Sequence, residues 1–450
     1  MPAHRPTVAP HPRRSRPVLA PLQSFLHTEA AGGVVLALAT LVALVWANTR
    51  WSGSYADLWH TELSVGVGHH VIEESLAHWV NDLAMAFFFF VVGLEIKREM
   101  VHGELQDPRT AVLPIACAVG GMAVPALIYL AVNAPHPATS GGWGIPMATD
   151  IAFSIGVLTL LGRRVPASMK LFLLTLAIVD DIGAILVIAI FYSDSFEPMW
   201  LAGAAAAVVA VLALQRAGVR SLAPYVVLAA VCWLATYQSG VHATIAGVVL
   251  GLVTPARPLR GPAELQTVLR EQLDGEALAD ERHDEADETS YLGIVTVATE
   301  GVSPLGRLEH ALHPWTAFVV LPLFALANAG VSLSGGLDLS SPLTLGIVGG
   351  LVIGKPLGIV VAAVLAIRLG GASLPAHAGW VELVGAGCLA GIGFTVSLFV
   401  SGLAFEGALV DQAKIAVLAA SGVAGLLGAA ALLSRPTSHP LTGPDAVGRR

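Results

Sequence analysis

Two adjacent carboxylates, Asp180 and Asp181, lie in the middle of an apolar stretch that runs from Leu171 to Phe191. A stretch of this length can cross a bilayer as a helix. A charged side chain at the centre of such a helix costs about 2.5 to 3.5 kcal/mol on insertion scales, and neighbouring like charges oppose each other's ionisation. A site that binds a cation or a proton would account for this cost.

A basic residue occurs at a comparable depth in another apolar segment. Lys355 lies at the centre of residues 343–367, in the motif Gly-Lys-Pro-Leu-Gly. Because successive residues of a helix point about 100° apart, the two aspartates cannot face one partner equally. We therefore expect Asp180 to face Lys355 and Asp181 to face a cavity. The alternative is a buried ion pair that only joins two helices.

The segment 144–161 contains residues that do not suit a regular helix. Pro146 lacks a backbone donor, and Thr149 and Asp150 follow it in Ile145-Pro-Met-Ala-Thr-Asp. This pattern predicts a break in the helix. The carboxylate of Asp150 would then neutralise the partial positive charge of the helix ends at the break.

The segment 381–404 has a comparable weak point in four glycines, namely Gly385, Gly387, Gly391 and Gly393. Two interrupted helices, one in each half of the chain, suggest an inverted repeat. Unwound helices at bilayer depth occur where protein or a water-filled cavity satisfies their backbone groups, and they commonly hold the ion sites of transporters.

The elements that must position these residues are transmembrane helices. Of the 450 residues, 55% are hydrophobic and only 12% are charged, and the mean hydropathy is +0.72. These values indicate an all-α polytopic membrane protein. We predict twelve transmembrane helices, at about 30–48, 77–97, 111–132, 144–161, 169–192, 200–215, 222–237, 239–254, 311–332, 343–367, 381–404 and 412–433.

The basic residues alternate between the two sides of this arrangement. With a cytoplasmic N-terminus, 21 of the 24 Lys and Arg residues fall at cytoplasmic ends or tails, and only Arg50 lies on the other side. The positive-inside rule therefore predicts that both termini are cytoplasmic.

The polar regions divide the chain into five parts. We predict a disordered cytoplasmic tail at 1–24, whose arginines can contact anionic lipid, and a cytoplasmic tail at 436–450. Helices 1–8 occupy 25–256, with an extracellular hairpin near 61–74, and helices 9–12 occupy 306–435. Residues 257–305 form an acidic, flexible cytoplasmic insert, which accounts for most of the net charge of −8. The charge balance therefore gives no sign of a nucleic-acid partner.

Charged residues and histidines gather at two predicted cytoplasmic helix ends. They are Glu95, Arg98 and Glu99 in Glu-Ile-Lys-Arg-Glu, and Glu309, His310 and His313 in Leu-Glu-His-Ala-Leu-His-Pro. On charge alone they are ordinary interface anchors. Because an imidazole beside carboxylates changes charge near neutral pH, the functional interpretation is a pH gate. His242, at the start of the eighth segment, is by itself a polar cap.

Several long motifs resemble one known family, the NhaA family of bacterial sodium/proton antiporters. The match covers about residues 25–435 in order. The motifs are Ala148-Thr-Asp-Ile-Ala-Phe, Ala177-Ile-Val-Asp-Asp-Ile-Gly-Ala-Ile, Ser239-Gly-Val-His-Ala-Thr, Arg307-Leu-Glu-His-Ala-Leu-His-Pro-Trp, Gly354-Lys-Pro-Leu-Gly and Gly391-Ile-Gly-Phe-Thr.

This resemblance implies a twelve-helix fold with inverted repeats, in which helices 4 and 11 are unwound and cross. It further implies an inner-membrane homodimer, joined through the hairpin, that exchanges cytoplasmic sodium or lithium for external protons electrogenically and is activated at alkaline pH. No cofactor is expected.

The same resemblance implies roles for individual residues. Asp180 and Asp181 become the site for sodium and protons, Lys355 their cationic partner, and Asp150 and Thr149 part of the ion site at the helix break. Pro146, Gly391 and Gly393 become the helix-breaking residues. The pH-sensing candidates are Glu95, Arg98, Glu99, Glu309, His310, His313 and His242.

Three rival functions remain at this stage. A pH-sensing scaffold without transport is the weakest, because it would not need charges at the bilayer centre in both halves of the chain. Paired aspartates do not by themselves select sodium, so an antiporter or symporter for another monovalent cation is an alternative. An intramembrane aspartyl protease would use Asp150 with Asp181 to activate water. Lys355 and the tandem of aspartates fit a protease poorly.

Overall fold

The computed structural model describes residues 20–67, 70–193, 196–258, 300–333, 338–376 and 378–434, together with 261, 264–268, 270 and 336. In the first helix the side chains are described from Ala30 onward. The tail predicted at 436–450 and most of the insert predicted at 257–305 lie outside these residues.

The apolar segments of the sequence form helices. In chain order these are α1 Ala20–Ala47, α2 Ser52–His60, α3 Leu76–His102, α4 Pro108–Asn133, α5 Ile151–Leu160, α6 Ala167–Phe191, α7 Pro198–Arg216, α8 Ala223–Gln238, α9 Thr244–Val253, α10 Pro304–Asn328, α11 Pro342–Gly370, α12 Trp380–Ala390, α13 Phe394–Ala404 and α14 Ala408–Leu433. Short 3₁₀ helices span Ser140–Met147, which leads into α5, and Gly162–Arg164.

Nine helical segments of the described residues are long and apolar enough to cross a membrane, counting Ser140–Leu160 as one. A tenth consists of α12 and α13, which meet at a bend of 43°. The helical, polytopic class predicted from composition is therefore confirmed. Helix length alone accounts for ten of the twelve predicted spans, and the other two correspond to the shorter apolar helices α8 and α9.

The faces of these helices that point away from the protein are apolar. Leu127, Ile190 and Leu426 expose 63%, 68% and 74% of their surface, each on a long apolar helix. Exposed apolar side chains of this size suit a surface that faces lipid tails.

Some helices approach each other closely because glycine lies at the contact. A Cβ atom at Gly247 of α9 would lie 2.1 Å from the carbonyl oxygen of Ala86 in α3, and one at Gly358 of α11 would lie 2.1 Å from the carbonyl oxygen of Gly120 in α4. Such contacts between small residues are common between membrane helices, where close backbone packing replaces the hydrophobic driving force.

Three of the long helices contain a turn of π-helix. These turns are Val80–Ala84 in α3, Thr316–Val320 in α10 and Gly349–Gly354 in α11. Pro322 and Pro356 follow two of them within two residues, and proline cannot donate the backbone bond that regular winding needs. Since π turns often mark functional sites, the turn before Lys355 is of particular interest.

An antiparallel hairpin lies between α2 and α3. Its strands are β1 Glu62–Val67 and β2 His70–Ser75, and Val65 pairs with Ile72. Helix α2, which precedes the hairpin, was not predicted. Its Tyr55 hydroxyl donates to the carbonyl of Leu326 at 2.8 Å, and burial raises the pKa of Tyr55 to about 12.

Some element boundaries differ from those predicted. Helix α1 already begins at Ala20, so the last five residues of the predicted tail are helical. The eighth segment, predicted at 239–254, is helical only from Thr244, because Ser239 ends α8 and Gly240 adopts a positive φ of 76°.

Candidate functional site

The span Ser140–Leu160 is interrupted at its centre. The 3₁₀ helix ends at Met147, the backbone is extended through Ala148, and α5 begins at Ile151. Asp150 caps α5, because its Oδ1 accepts a hydrogen bond from the backbone N–H of Phe153 at 3.0 Å. Pro146 lies within the 3₁₀ helix, so the chain unwinds two residues later than this proline.

The second interruption separates α12 from α13 at residues 391–393. A Cβ atom at Gly391 would lie 2.4 Å from the carbonyl oxygen of Leu351, and one at Gly393 would lie 2.2 Å from Ser397 Oγ. Both glycines have a negative φ, so the backbone conformation does not require glycine. Their lack of a side chain instead leaves space for the close approach of Leu351 and Ser397. Gly385 and Gly387, counted with them in the sequence, lie within the regular helix α12 and do not break it.

The two interruptions contact each other through hydrogen bonds. The backbone N–H of Asp150 donates to the carbonyl of Ile392 at 2.6 Å, and Thr149 Oγ1 donates to that of Ala390 at 2.8 Å. Asp150 Oδ2 accepts from both the N–H and the hydroxyl of Thr395, at 3.0 and 2.6 Å. One buried carboxylate thus satisfies donors at the N-terminal ends of α5 and α13, where helix dipoles favour negative charge.

Thr395 was not selected from the sequence. The signal that points to it is weak, since it is a threonine in the first turn of a helix that follows a glycine-containing break.

Lys355 connects one aspartate to the interrupted span. Its Nζ donates to Asp180 Oδ2 at 2.6 Å and also to the carbonyl of Met147, the last residue of the 3₁₀ helix. Neither side chain is exposed. Asp180 therefore faces Lys355, as assigned from the sequence, whereas the helical geometry required only that one of the two aspartates does so. The ammonium group lies where the C-terminal end of a helix carries partial negative charge.

Asp181 points to a different place. It is 2% exposed, and neither of its carboxylate oxygens has a hydrogen-bond partner. It lines a cavity between α3, α10 and the two interruptions. The cavity is lined by Phe88, Val91, Val92, Glu95, Thr149, Asp150, Ile151, Ala152, Asp181, His313, Thr316, Ala317, Leu321, Thr395 and Val396. Buried carboxylate oxygens without donors are free to bind a cation or a proton, because both supply the positive partner that they lack.

Comparison with known proteins identifies the family. The model of the Na+/H+ antiporter 1 family matches residues 23–432. The chain belongs to this family.

Relatives from several bacteria match nearly the whole of this chain. A protein of Sorangium cellulosum named Na(+)/H(+) antiporter NhaA 2 is 50% identical over 438 residues, which are 96% of this chain and 93% of that protein. One of Rhodopirellula baltica named Na(+)/H(+) antiporter NhaA is 50% identical over 92% of this chain and 94% of its own length. One of Oleidesulfovibrio alaskensis with the same name is 48% identical, with 94% and 95% covered.

The resemblance implies a set of pH-sensing candidates. Only some of these residues lie close together in the structure. Arg98 Nη1 donates to Glu309 Oε1, and Arg98 Nη2 lies 3.5 Å from Glu99 Oε1. Glu95 and His313 line the cavity about one turn further along the same two helices. Arg98 thus joins α3 to α10 at one end of the cavity.

Two of the candidate histidines do not join this cluster. The side chain of His310 is exposed on the outer side of α10. Nε2 of His242 lies 2.5 Å from the carbonyl oxygen of Tyr192, at the C-terminal end of α6. The sequence cannot show this for His310 and His313, because they lie only about 60° apart around one helix, and which of them is buried depends on the helices that pack against α10.

A tyrosine that sequence reasoning missed holds the 3₁₀ helix in place. The hydroxyl of Tyr192 donates to the carbonyl of Gly141 at 2.8 Å and accepts from the N–H of Gly144 at 3.0 Å. Ser397 Oγ adds a bond to the carbonyl of Ile145 at 2.7 Å. The half-helix whose end bonds to Lys355 is therefore anchored by side chains from α6 and α13.

Proposed function

We propose that this chain is a pH-regulated, electrogenic antiporter that exports cytoplasmic sodium or lithium in exchange for external protons. One observation carries the proposal: both carboxylate oxygens of Asp181 are buried at a cavity without a hydrogen-bond donor, next to an aspartate that is already paired with Lys355. Membership of the Na+/H+ antiporter 1 family and relatives named Na(+)/H(+) antiporters support it.

The mechanism is competition at one site. Sodium is the transported substrate and needs deprotonated carboxylates, with Asp181 as its main ligand and Asp180, Thr149 and Asp150 nearby. Protonation removes the negative charge and expels sodium. The same aspartates then carry either ion, but not both, as the cavity opens to one side and then to the other.

In this cycle Asp180 alternates between being paired with Lys355 and being protonated or bound to sodium. When Asp180 takes up a proton or contributes to sodium binding, its bond to Lys355 weakens, and the ammonium retains the carbonyl of Met147. This carbonyl partner keeps the lysine from becoming a wholly uncompensated charge.

Exchange of one sodium for more than one proton moves net positive charge inward. Each net charge is worth about 2.3 kcal/mol per 100 mV of membrane potential. A negative interior therefore drives sodium export under this proposal.

The membrane arrangement is part of the proposal. We infer twelve spans in a bacterial inner membrane with both termini in the cytoplasm, where α8 and α9 complete the set and the two interrupted spans are the unwound, crossing helices 4 and 11 of an inverted repeat. Reporter fusions at both termini and in the loop after Arg50 test this topology.

We also propose a homodimer formed through the hairpin predicted at 61–74. Leu63, Val65 and Val71 on its two strands are 45%, 52% and 60% exposed, and a two-stranded sheet leaves backbone groups at its edges for a second copy. Deletion of the hairpin should convert the detergent-solubilised protein from dimer to monomer, as measured by light scattering.

The decisive test of function is Asp181→Asn. Purified protein in liposomes should lose sodium-dependent proton movement, because the neutral amide supplies one oxygen and no negative charge. The matched control is Asp57→Asn, the same change at an exposed acid of α2. Retained exchange in Asp181→Asn protein with a normal unfolding temperature would reject the assignment.

The alternatives separate in the same assay. An antiporter or symporter for another monovalent cation would show potassium-driven proton flux, or proton flux in the direction of the cation. The protease alternative is weakened by Asp150, since its carboxylate accepts bonds from Phe153 and Thr395 and is held as a helix cap.

A further inference from the structure

The cavity is closed at one end by two layers of side chains. The Arg98–Glu309 contact lies at the other end, with Arg98 three residues from Glu95 and Glu309 four residues from His313, two residues of the cavity wall. At the closed end, the outermost lining residues are Phe88 of α3 and Leu321 of α10. The residues at the level of Phe88 and Leu321 and beyond them therefore decide whether the cavity opens there.

The first layer is aromatic. The ring of Phe399 lies 6.1 Å from that of Phe89 and 6.4 Å from that of Phe324, measured between centroids. The three side chains are 3%, 2% and 0% exposed. They come from α13, α3 and α10, so one apolar layer spans three of the elements around the cavity.

The second layer is polar and lies further out. Asn81 is seven residues before Phe88, and Asn328 is seven residues after Leu321, which places both about two turns from the cavity wall. Asn328 Nδ2 donates to Asn81 Oδ1 at 2.7 Å and to the carbonyl of Phe324 at 3.1 Å. Helices α3 and α10 run antiparallel. Two residues that lie equally far from the cavity wall, one on each helix, are therefore neighbours, and the two amides meet.

A half-buried lysine completes this layer. Lys414 Nζ of α14 donates to Asn328 Oδ1 at 3.3 Å. Asn328 is 6% exposed and thus connects α3, α10 and α14 through one amide group. Outward movement of α3 from α10 at this end would break the Asn81–Asn328 bond.

We propose that Asn81, Asn328 and Lys414 form a latch that holds the cavity closed at the end opposite the Arg98–Glu309 pair, and that the latch opens in the step that exposes the ion site to the external side. The inference rests on the proposed function. Amides and an ammonium suit a contact that must repeatedly open, since entering water replaces the hydrogen bonds that are lost.

The test measures access to the cavity without relying on transport. Cys117, Cys232 and Cys388 are replaced by serine, and Val396→Cys places one thiol in the cavity wall. A charged, membrane-impermeant thiol reagent is then added to the external side of right-side-out vesicles. The labelling rate reports how often the closed end opens.

Removal of the latch should raise this rate. We expect Asn328→Ala and Lys414→Met each to increase external labelling about fivefold, a change equivalent to about 1 kcal/mol. The matched control is Asn133→Ala. Asn133 is fully buried, and its Nδ2 donates to the carbonyls of Tyr129 and Pro342, but it lies on α4, away from this closure. Its labelling rate should stay within twofold of the parent.

The outcomes are separable. An unchanged rate in the latch variants, or an equal rise in Asn133→Ala, would overturn the latch. If Asn328→Ala is not recovered from membranes, Lys414→Met decides by the same criterion. Sodium/proton exchange of the parent in matched liposomes is measured independently, and its absence would reject the proposed function whatever the labelling shows.

Discussion

At the scale of single residues, the pair of Lys355 and Asp180 combines two charges that water does not reach. Desolvation of two ions is costly, and their attraction offsets it only when further bonds satisfy the remaining groups. The carbonyl of Met147 supplies such a bond to the ammonium. The pair therefore suits a positioned part of the proposed ion site better than a source of stability.

Removal of one member should be worse than removal of both. We predict that Lys355→Met lowers the free energy of unfolding by about 3 kcal/mol or more, because Asp180 is left buried without its partner. The double variant Lys355→Met with Asp180→Asn should recover most of this loss. Thermal unfolding of the purified proteins in one detergent measures both changes, and a double variant no more stable than the single one would contradict the interpretation.

Some of these residue contacts follow from sequence and others do not. The 100° angle between Asp180 and Asp181 predicted that only one of them faces Lys355, and the structure shows that it is Asp180. The bond from Lys355 to Met147 could not be predicted from the sequence, because it depends on where the backbone of another segment unwinds. Thr395 was missed for the same reason.

At the scale of elements, the break between α12 and α13 depends on small residues at a crowded position. We predict that Gly391→Ala destabilises the protein by about 1 to 3 kcal/mol, because its Cβ would lie 2.4 Å from the carbonyl oxygen of Leu351. Gly402→Ala is the matched control, since Gly402 is helical in α13 and a Cβ there meets nothing within 4 Å.

The control should be neutral or slightly stabilising, because alanine has the higher helix propensity. Thermal unfolding and the KM for sodium are measured for both variants. Gly391→Ala should also raise this KM, since α13 carries Thr395, which bonds to Asp150. Equal effects of the two substitutions would show that space at the break is unimportant.

Sequence patterns predicted helices better than they predicted irregularities within helices. Proline and the following polar pair marked the break before α5, and glycines marked the one before α13. The pattern could not tell Gly391 from Gly385, because what separates them is the neighbour that each one meets. Gly385 lies against the side chain of Leu432, whereas Gly391 lies against the backbone of Leu351. The π turns and helix α2 were not predicted, because no periodic pattern in the sequence indicated them.

At the scale of the whole molecule, the cavity lies where distant parts of the chain meet. The Arg98–Glu309 pair at one end and the Asn81–Asn328 pair at the other join residues 211 and 247 positions apart. Such pairings depend on which helices are neighbours in space, which one sequence does not state. Both ends tie the same two helices, α3 and α10. Under the proposed mechanism, alternating access would amount to breaking the contact at one end while the contact at the other end is kept.

This arrangement separates two effects of pH on transport. If protons and sodium compete for Asp181, a fall of one pH unit should raise the KM for sodium up to about tenfold for each competing proton, while the maximal rate at saturating sodium stays constant. If instead pH acts through the cluster at the Arg98 end of the cavity, the maximal rate should fall and the KM should stay constant. Exchange in liposomes at a series of pH values and sodium concentrations measures both quantities.

We predict that competition governs the KM and that the Arg98 cluster governs the maximal rate. Glu309→Gln should therefore shift the pH profile of the maximal rate and leave the slope of KM against pH unchanged, because it weakens the bond to Arg98 without touching Asp181. Asp57→Asn should change neither quantity. A parallel shift of both quantities in Glu309→Gln would mean that ion binding and opening at this end are one event, and that the two ties of α3 and α10 cannot act independently.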